Sequence, residues 1–361
     1  MAQQDSIYMA RALRLAEKGR FTTDPNPRVG CVIVKDDKVI AEGWHIKAGQ
    51  GHAEVNALRQ VESAQGATAY VTLEPCSHSG RTGPCCDALI AAGVSRVVVA
   101  MQDPNPLVAG NGLKKMQDAG LDVECGVLQA DAEAINKGFI KRMKTGLPFV
   151  RSKMAMSLDG RTAMASGESK WITSSESRAD VQLLRAESSV ILTGVNTVLA
   201  DDPSLNVRLD NKDVLQAIRV VLDSELNMSP ASKMLGLSGD TWILTCSADK
   251  QKKLKLENAG AKVFLLSSLQ GRLDLSAVMV FLGQQQINHV LVEAGAVLNG
   301  ALLDADVVDE WIVYMAPCIL GDQGRGLFNL PALQKMADKK QLNMQAVRQV
   351  GPDLKLTFTM Q

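Results

Sequence analysis

His52-Ala53-Glu54, followed by Pro75-Cys76 and then Pro84-Cys85-Cys86, puts a histidine, a carboxylate and three thiols into one short region of the chain. A histidine and two thiolates fill three positions of a tetrahedral zinc ion and leave the fourth for water. The glutamate is not one of the ligands. Its use is to move protons between that water and a leaving group. A regular helix does not point residues i and i+2 the same way, so the first strip belongs in an irregular first turn. The spacing predicts a helix from about His52 through Leu58 and another from about Cys85 to Ala92. Helix starts favour anions and help keep a thiolate deprotonated. Both strips therefore lie where a strand hands over to a helix, which makes an α/β domain the frame of the site.

Outward from these strips the apolar spacing supplies that frame. Tyr8, Ala12, Leu15 and Ala16 share one helical face. Val29 to Val34 and Val39 to Trp44 read as strands joined by a hairpin connection, Lys35-Asp36-Asp37-Lys38. Further strands follow at Ala69 to Leu73, Arg96 to Ala100 and Asp122 to Gly126, with helices at Gly112 to Ala119 and Asp131 to Arg142. The alternation argues for a sandwich with a mainly parallel sheet. Lys144-Thr145-Gly146-Leu147-Pro148 interrupts it. A chain of 361 residues exceeds one ordinary core, so two domains are expected, 1–146 and 147–361. The second run carries strands at Phe149 to Ala155, Val190 to Thr193, Arg219 to Leu222, Thr241 to Thr245, Val263 to Leu266, His289 to Val292, Glu310 to Ala316 and Lys355 to Met360. Its helices fall near Ser175 to Ala186, Ser276 to Gln285 and Val297 to Asp304. No G-x-G-x-x-G follows its first strand, which argues against a Rossmann domain.

A His-x-Glu with a later Pro-Cys and a further cysteine is the order found in zinc deaminases, which hydrolyse an amino group off a ring carbon. The interval from Cys76 to Cys85 is wider than the usual C-x-x-C and leaves Cys85 and Cys86 as alternatives for the third ligand. A closed structural zinc would want a fourth protein ligand, which His78 could supply. Such a site has no use for Glu54. His45 by itself reads as a surface histidine, and His289, ahead of a strand, as structural. Cys31, Cys125, Cys246 and Cys318 lie in or beside apolar runs and read as core thiols.

The seven cysteines are odd in number and lack framework spacing, which fits a reducing cytoplasm. Met1 to Arg20 shows no apolar h-region, and no stretch is apolar for long enough to span a bilayer. Lys+Arg and Asp+Glu are both 39, so the formal net charge is +0 and the basic surplus of a nucleic-acid binder is missing. The expectation is a small-molecule enzyme that forms a homo-oligomer, with no nucleic-acid or membrane partner. Two rivals are a nucleic-acid or nucleoside zinc deaminase with an accessory domain, and a zinc-stabilised binding module without catalysis.

Thr22-Thr23-Asp24-Pro25-Asn26-Pro27-Arg28-Val29-Gly30-Cys31, His52-Ala53-Glu54, Thr72-Leu73-Glu74-Pro75-Cys76-Ser77-His78 and Gly80-Arg81-Thr82-Gly83-Pro84-Cys85 together resemble the deaminase half of the bifunctional riboflavin-biosynthesis deaminase/reductase family. The wide cysteine interval is that family's own variant; Gly83 stands where a proline is common. The later stretches Ser157-Leu158-Asp159-Gly160-Arg161, Gly167-Glu168-Ser169-Lys170-Trp171-Ile172-Thr173, Gly194-Val195-Asn196-Thr197-Val198-Leu199-Ala200-Asp201-Asp202-Pro203 and Val292-Glu293-Ala294-Gly295 are similar to its reductase half. The resemblance implies a cytidine-deaminase-like three-layer α/β/α domain followed by a dihydrofolate-reductase-like α/β domain. It implies deamination of 2,5-diamino-6-(5-phosphoribosylamino)pyrimidin-4-one, then reduction of the product's ribosyl group to ribityl by NADPH.

The same resemblance implies one Zn2+ per chain on His52, Cys76 and Cys85, with Glu54 catalytic and Asn26, His45 and Arg81 at the first substrate. It suggests Lys153, Ser169, Arg185, Leu205, Arg208 and Glu293 at the second substrate, and Ala155, Trp171, Thr197, Asp201, Ser224, Gly295, Ala296, Val297, Leu298, Asn299, Gly300 and Ala301 at NADPH. The residues themselves agree in part. Gly295 lies between a strand and a helix, where backbone N–H groups can hold a phosphate, although a glycine there is also a common turn residue. Asp201-Asp202-Pro203 equally suits a helix stop, and Arg185 suits the cationic end of its helix. Lys153 interrupts a run that is otherwise apolar or small, Ser152-Lys153-Met154-Ala155-Met156, and so needs a reason beyond snorkelling at an edge. Arg185 is expected to grip a phosphate bidentately and Lys153 to act as a point charge near the reacting carbon.

Overall fold

The computed structural model describes residues 2–77, 83–106, 108–209 and 213–361. The chain forms two compact units, Met1–Gly146 and Leu147–Gln361.

In the first unit, in chain order, lie α1 (Ala2–Ala16), β1 (Gly30–Lys35), β2 (Lys38–Trp44), α2 (Ala53–Leu58), β3 (Thr68–Val71), α3 (Cys85–Ala91), β4 (Arg96–Val99), α4 (Asn111–Asp118), β5 (Asp122–Cys125), α5 (Gln129–Ile135) and α6 (Lys137–Thr145). The sheet order is β2-β1-β3-β4-β5. It is mixed rather than mainly parallel, because β1 runs antiparallel to both β2 and β3, and only β3, β4 and β5 are mutually parallel. The hairpin is the cause. Asp36 and Asp37 both take positive φ, 52° and 55°, the backbone of a tight two-residue turn, so β2 folds straight back onto β1.

Side chains alternate across this sheet. Cys31, Ile33, Ala69, Val71, Val97 and Val99 pack with Ala53 and Ala57 of α2, Cys86 and Leu89 of α3 and Met116 of α4. Val32, Val34, Tyr70 and Val98 pack on the other face with Tyr8, Met9, Ala12 and Leu13 of α1 and with Ala132 of α5. Three layers result, with both faces of β1, β3 and β4 covered, as apolar strand runs require. A Cβ on Gly43 would stand 2.3 Å from the Ala53 carbonyl oxygen, so α2 lies directly on β2. That contact sets the helix start where His52 and Glu54 sit.

The helix expected over Asp131 to Arg142 is two helices, α5 and α6, broken at Asn136. The buried Asn136 amide turns away to the backbone of Arg28, accepting from its N–H at 2.9 Å and donating to its carbonyl at 2.9 Å. Local hydrogen bonding of this kind competes with helical structure. Cys125 is exposed, against the expectation of a core thiol, because β5 is the outer strand of the sheet; Cys31 is buried, while Cys246 and Cys318 are half-buried.

The second unit contains β6 (Phe149–Ser157), β7 (Arg161–Ala163), α7 (Ser175–Ala186), β8 (Val190–Gly194), α8 (Val195–Asp201), β9 (Ile218–Leu222), β10 (Thr241–Thr245), α9 (Lys250–Asn258), β11 (Ala261–Leu265), β12 (Ser268–Leu269), β13 (Arg272–Leu273), α10 (Leu275–Gln284), β14 (His289–Val292), α11 (Ala296–Asp304), β15 (Glu310–Ala316), β16 (Arg325–Gly326), β17 (Leu342–Val350) and β18 (Asp353–Met360). Its main sheet runs β11-β10-β9-β8-β14-β6-β15-β18-β17. The pairs from β11 to β15 are parallel, and the last two are antiparallel. α10 and α11 pack on one face, through Val278, Leu282, Leu302 and Leu303. Leu256 of α9 and Val198 of α8 belong to the core of the other face, where Val181 and Leu184 of α7 also pack. α8, α9 and β17 were not expected from the spacing. α9 offers one buried apolar residue, Leu256, and β17 is exposed along nearly all its length, so neither has the alternation that periodicity detects.

Asp5 of α1 ties the helix to the sheet. It is buried, accepts from Tyr70 Oη at 2.8 Å, and takes a fork from Arg96, Nη1 at 2.8 Å and Nη2 at 3.1 Å. The Arg96 hydrogen bond holds its carboxyl below the ordinary value of 3.8. Asp5→Asn should destabilise the first unit by about 2 kcal/mol at neutral pH, the worth of hydrogen bonds to a charged group. A depressed folded pKa stabilises above the unfolded value and ceases to do so as pH falls through the folded one. The gap between variant and wild type in thermal unfolding should thus close below about pH 4. A gap unchanged into acid would show that the ion pair does not stabilise the unit.

Candidate active sites

His52 immediately precedes α2 in extended backbone (φ −72°, ψ 168°), so its side chain departs from the helical course and turns toward α3. His52 Nδ1 lies 3.2 Å from Cys85 Sγ and 3.6 Å from Cys76 Sγ. The nitrogen and both sulfurs lie within 4.8 Å of one another. Cys85 opens α3, and its own N–H donates to Cys76 Sγ at 3.3 Å. Cys86, one residue on, belongs to the core cluster with Leu89 and Val97.

This donor set fits zinc. The hydrogen bond from Cys85 pulls the Cys76 thiol down to about 4, with help from His52, and the same bond and burial push Cys85 well above the ordinary range. A dication bound by both thiolates would displace the protons that the thiols hold. The bond to Cys76 also raises His52. Glu54 is 3% exposed, and burial pushes its carboxyl up. Its Oε2 has no hydrogen-bond partner among the described residues. A buried acceptor left unpaired is expensive, and it marks a place for water or substrate.

Asn26 and His45 stand beside this cluster. His45 is 3% exposed, not a surface histidine. Its Nδ1 donates to the Gly51 carbonyl at 3.1 Å, which leaves Nε2 to accept from Asn26 Nδ2 at 3.1 Å. Burial lowers its pKa, so the ring is neutral, and it meets the His52 ring edge-on at 5.5 Å between centroids. Arg81 and His78 lie outside the described residues. Two residues without a role in the sequence reading also serve this site. Asn136 braces the Arg28 backbone, two residues from Asn26, and Glu74 receives backbone N–H groups two residues from Cys76. A polar residue inside an apolar helical pattern was the available signal for Asn136.

In the second unit, Lys153, Arg185 and Glu293 converge from β6, α7 and the end of β14. Arg185 Nε lies 2.5 Å from Glu293 Oε1 and Nη2 3.0 Å from Oε2; Nη1 donates to the Asn206 carbonyl at 3.1 Å. Lys153 Nζ is 3.4 Å from Glu293 Oε2. Burial would raise the Glu293 carboxyl, but Lys153 and Arg185 outweigh it and hold it at about 2. The Arg185 fork is thus filled by Glu293 rather than open for a phosphate. Arg208, exposed, donates to Asn206 Oδ1 at 2.6 Å, and burial and the like charge of Arg185 lower its pKa.

The remaining expected positions divide into those open to a ligand and those turned inward. Trp171 is 72% exposed, with the Arg178 guanidinium 4.6 Å over its ring. Ser169 and Thr197 are half-buried. Asp201 pairs with Lys170 at 3.3 Å, and the helix stop is Asp202, at φ 39°. Leu205 buries its side chain in the core at φ 42°, so its backbone is what it can offer a ligand. Ser224 accepts at its carbonyl from Thr245 Oγ1 and at its hydroxyl from the Leu273 N–H. Ala155 is half-buried, two residues beyond Lys153 on the same face of β6. Gly295 precedes α11 without a capping side chain; Gly295, Val297 and Ala301 are exposed, while Ala296 and Leu298 are half-buried. Asn299 and Gly300 face inward. Asn299 accepts from Ser152 Oγ at 2.9 Å, and a Cβ on Gly300 would stand 2.1 Å from the Asn329 carbonyl oxygen, so these two seat the helix. His289 packs its ring on Phe149 at 5.8 Å, a structural contact.

Residues 2–101 match the family profile described as the cytidine and deoxycytidylate deaminase zinc-binding region, and residues 148–356 match the RibD C-terminal domain. The riboflavin biosynthesis protein RibD of Escherichia coli (strain K12) is 54% identical over 97% of this chain and 98% of its own length. That of Haemophilus influenzae is 51% identical over 99% and 98%. Among solved structures, Acinetobacter baumannii RibD superposes with a TM-score of 0.93 at 46% identity, covering 100% of both chains. The diaminohydroxyphosphoribosylaminopyrimidine deaminase/5-amino-6-(5-phosphoribosylamino)uracil reductase of Thermotoga maritima does so at 0.88 and 31%, covering 100% of this chain and 99% of that one.

Two outcomes follow from this geometry. Cys85→Ser should abolish stoichiometric zinc, measured by metal analysis after dialysis, and Cys86→Ser should retain it; the reverse pattern contradicts the ligand set. Glu293→Gln removes the anion between two cations, so the second unit should lose about 3–5 kcal/mol of stability at neutral pH. Because the folded carboxyl titrates near 2, that difference should persist at pH 5 and shrink only in stronger acid, as chemical denaturation at several pH values would reveal. A difference already gone at pH 5 would contradict the trio.

Proposed function

We infer, for a chain that belongs to the RibD family, a bifunctional enzyme of riboflavin biosynthesis that removes an amino group in its first unit and performs a reduction in its second. The first substrate is 2,5-diamino-6-(5-phosphoribosylamino)pyrimidin-4-one. The second is the deaminated 5-amino-6-(5-phosphoribosylamino)uracil, whose ribosyl group becomes ribityl. The observation that carries the reading is Glu54, a buried carboxylate with an unpartnered oxygen beside a His/Cys/Cys donor set. The RibD C-terminal match over residues 148–356 supports the reductase and leaves a nucleic-acid deaminase with an accessory domain unsupported. We assign residues 1–146 to the deaminase and 147–361 to the reductase.

For the first reaction, His52, Cys76 and Cys85 would hold zinc, whose Lewis acidity makes water a nucleophile near neutral pH. Glu54 takes one proton from the water and delivers it to the ring nitrogen; the second proton of the attacking oxygen then passes through Glu54 to the amine as its bond to the ring carbon breaks. The raised pKa of Glu54 suits a group that must both accept and give. Neutral His45 and the amide of Asn26 present a polar edge to the pyrimidine and ribose, and Arg81 takes the phosphate.

For the second reaction, NADPH supplies the hydride. We assign its binding to Ala155, Trp171, Thr197, Asp201, Ser224 and the backbone from Gly295 to Ala301. Ser169, Arg208 and the Leu205 backbone take the substrate, with Arg208 rather than Arg185 as the phosphate cation. Glu293 holds Lys153 and Arg185 in register. Hydride addition at the ribosyl carbon would break that carbon's bond to the ring oxygen, and Lys153 would give the released oxygen its proton. Among the described residues the outer strand β17 leaves one edge unpaired and exposes Met344 (58%) and Val347 (54%), which supports a homo-oligomer through this edge. No helix among the described residues is long and apolar enough to cross a membrane. We place the enzyme in the cytoplasm.

Glu54→Gln should keep its zinc and lose deamination by about a hundred- to ten-thousand-fold, while reduction of the deaminated nucleotide proceeds at the wild-type rate. Ammonia release and NADPH absorbance read the two halves separately. Near-normal ammonia release by this variant would overturn the assignment.

A further inference from the structure

We propose that Glu74 fixes Cys76 in place as a zinc ligand, its buried carboxylate stapling the Glu74-Pro75-Cys76 strip to the start of α4. This rests on the metal reading above. Glu74 is buried. Its Oε2 accepts from the N–H groups of Asp103 at 3.0 Å and Gly110 at 2.9 Å, and Oε1 from those of Gly112 at 2.8 Å and Leu113 at 3.4 Å. Gly112 and Leu113 lie in the first turn of α4, whose amides have no partner inside the helix. Gly110 is its N-cap, in left-handed backbone at φ 81° with no side chain to cap with. A carboxylate delivered from another part of the chain takes over that function, and charge-assisted bonds of this kind are stronger than neutral ones.

The staple reaches Cys76 through a stiff link. Pro75 alone separates the two residues, and its ring fixes φ. A Cβ on Gly112 would stand 2.1 Å from the Pro75 carbonyl oxygen, so the helix start is in direct backbone contact with the peptide preceding Cys76. On its other side Cys76 is held by α3, through the Cys85 N–H to its sulfur at 3.3 Å and the Cys86 N–H to its carbonyl at 3.2 Å. The strip is clamped between two helix starts. Without Glu74 the α3 side remains, and the strip can tilt about it. Groups that orient metal ligands in this way are worth about ten- to a hundredfold in metal affinity or activity.

The test uses the full-length protein loaded with one zinc. Glu74→Gln turns an NH2 toward amides that need an acceptor; Glu74→Asp keeps the charge but falls a methylene short. Zinc release to a chelating indicator dye should be about ten- to a hundredfold faster in Glu74→Gln, with Glu74→Asp intermediate. Hydrogen exchange should show β1, β3 and β4 still protected. The kcat for ammonia release should fall while KM stays within about twofold, the pattern of a misplaced reacting group rather than lost substrate contact. Wild-type release rates in a variant with protected strands overturn the proposal. So does fast release accompanied by loss of strand protection in both variants, which would reduce Glu74 to a fold-stabilising role. Failure of the wild-type protein itself to take up zinc contradicts the metal reading, and is distinguished from either result.

Discussion

Two sulfurs, that of buried Cys85 and that of half-buried Cys76, lie 3.2 and 3.6 Å from one imidazole nitrogen, a donor set that fits a dication. Much of the first unit is organised to keep it. β2 lacks a side chain at Gly43, so α2 settles on the sheet and presents His52 ahead of its first turn. α3 begins at Cys85 and lends an N–H to Cys76. The apolar faces of α2, α3 and α4 bury the cluster from below, and that burial is also what keeps Glu54 out of water and raises its pKa. Packing, helix starts and acid–base chemistry are here one constraint.

The second unit balances charge differently. Lys153, Arg185 and Glu293 leave a net single positive charge in a largely buried place, and their mutual attraction overcomes the burial of the carboxylate. A buried ion group of this kind is weak evidence for stability and better evidence for fixed geometry. The Arg185 fork is filled by Glu293, while Arg208 is exposed and close enough to Arg185 for the like charge to lower its pKa.

Legibility in the sequence followed physical cause. His52, Cys76 and Glu54 could be picked out because metal chemistry restricts residue type and spacing. The third ligand could not be decided by spacing, since Cys85 and Cys86 are adjacent; what separates them is that one opens α3 toward the cluster and the other faces the core. Buried strands such as Thr241–Thr245 and His289–Val292 had apolar runs to betray them, whereas β17 has no buried face and α9 almost none. Asn136 and Glu74 escaped because their partners are backbone groups far along the chain, which no local pattern encodes. The mixed sheet escaped for a related reason: strand direction is decided by a tight turn and by where β3 re-enters, not by residue alternation.

Two chemically separate sites that act in sequence, only the first dependent on metal, should respond differently to the loss of zinc. Protein stripped of zinc by a chelator should be given, in parallel, the diaminopyrimidine nucleotide and its deaminated product, each with NADPH, while ammonia and NADPH are followed together. The stripped protein should release no ammonia from the first substrate, oxidise NADPH undiminished with the second, and regain ammonia release when zinc is restored. Ammonia release from the stripped protein, or a reduction that also stops when zinc is removed, would contradict this separation.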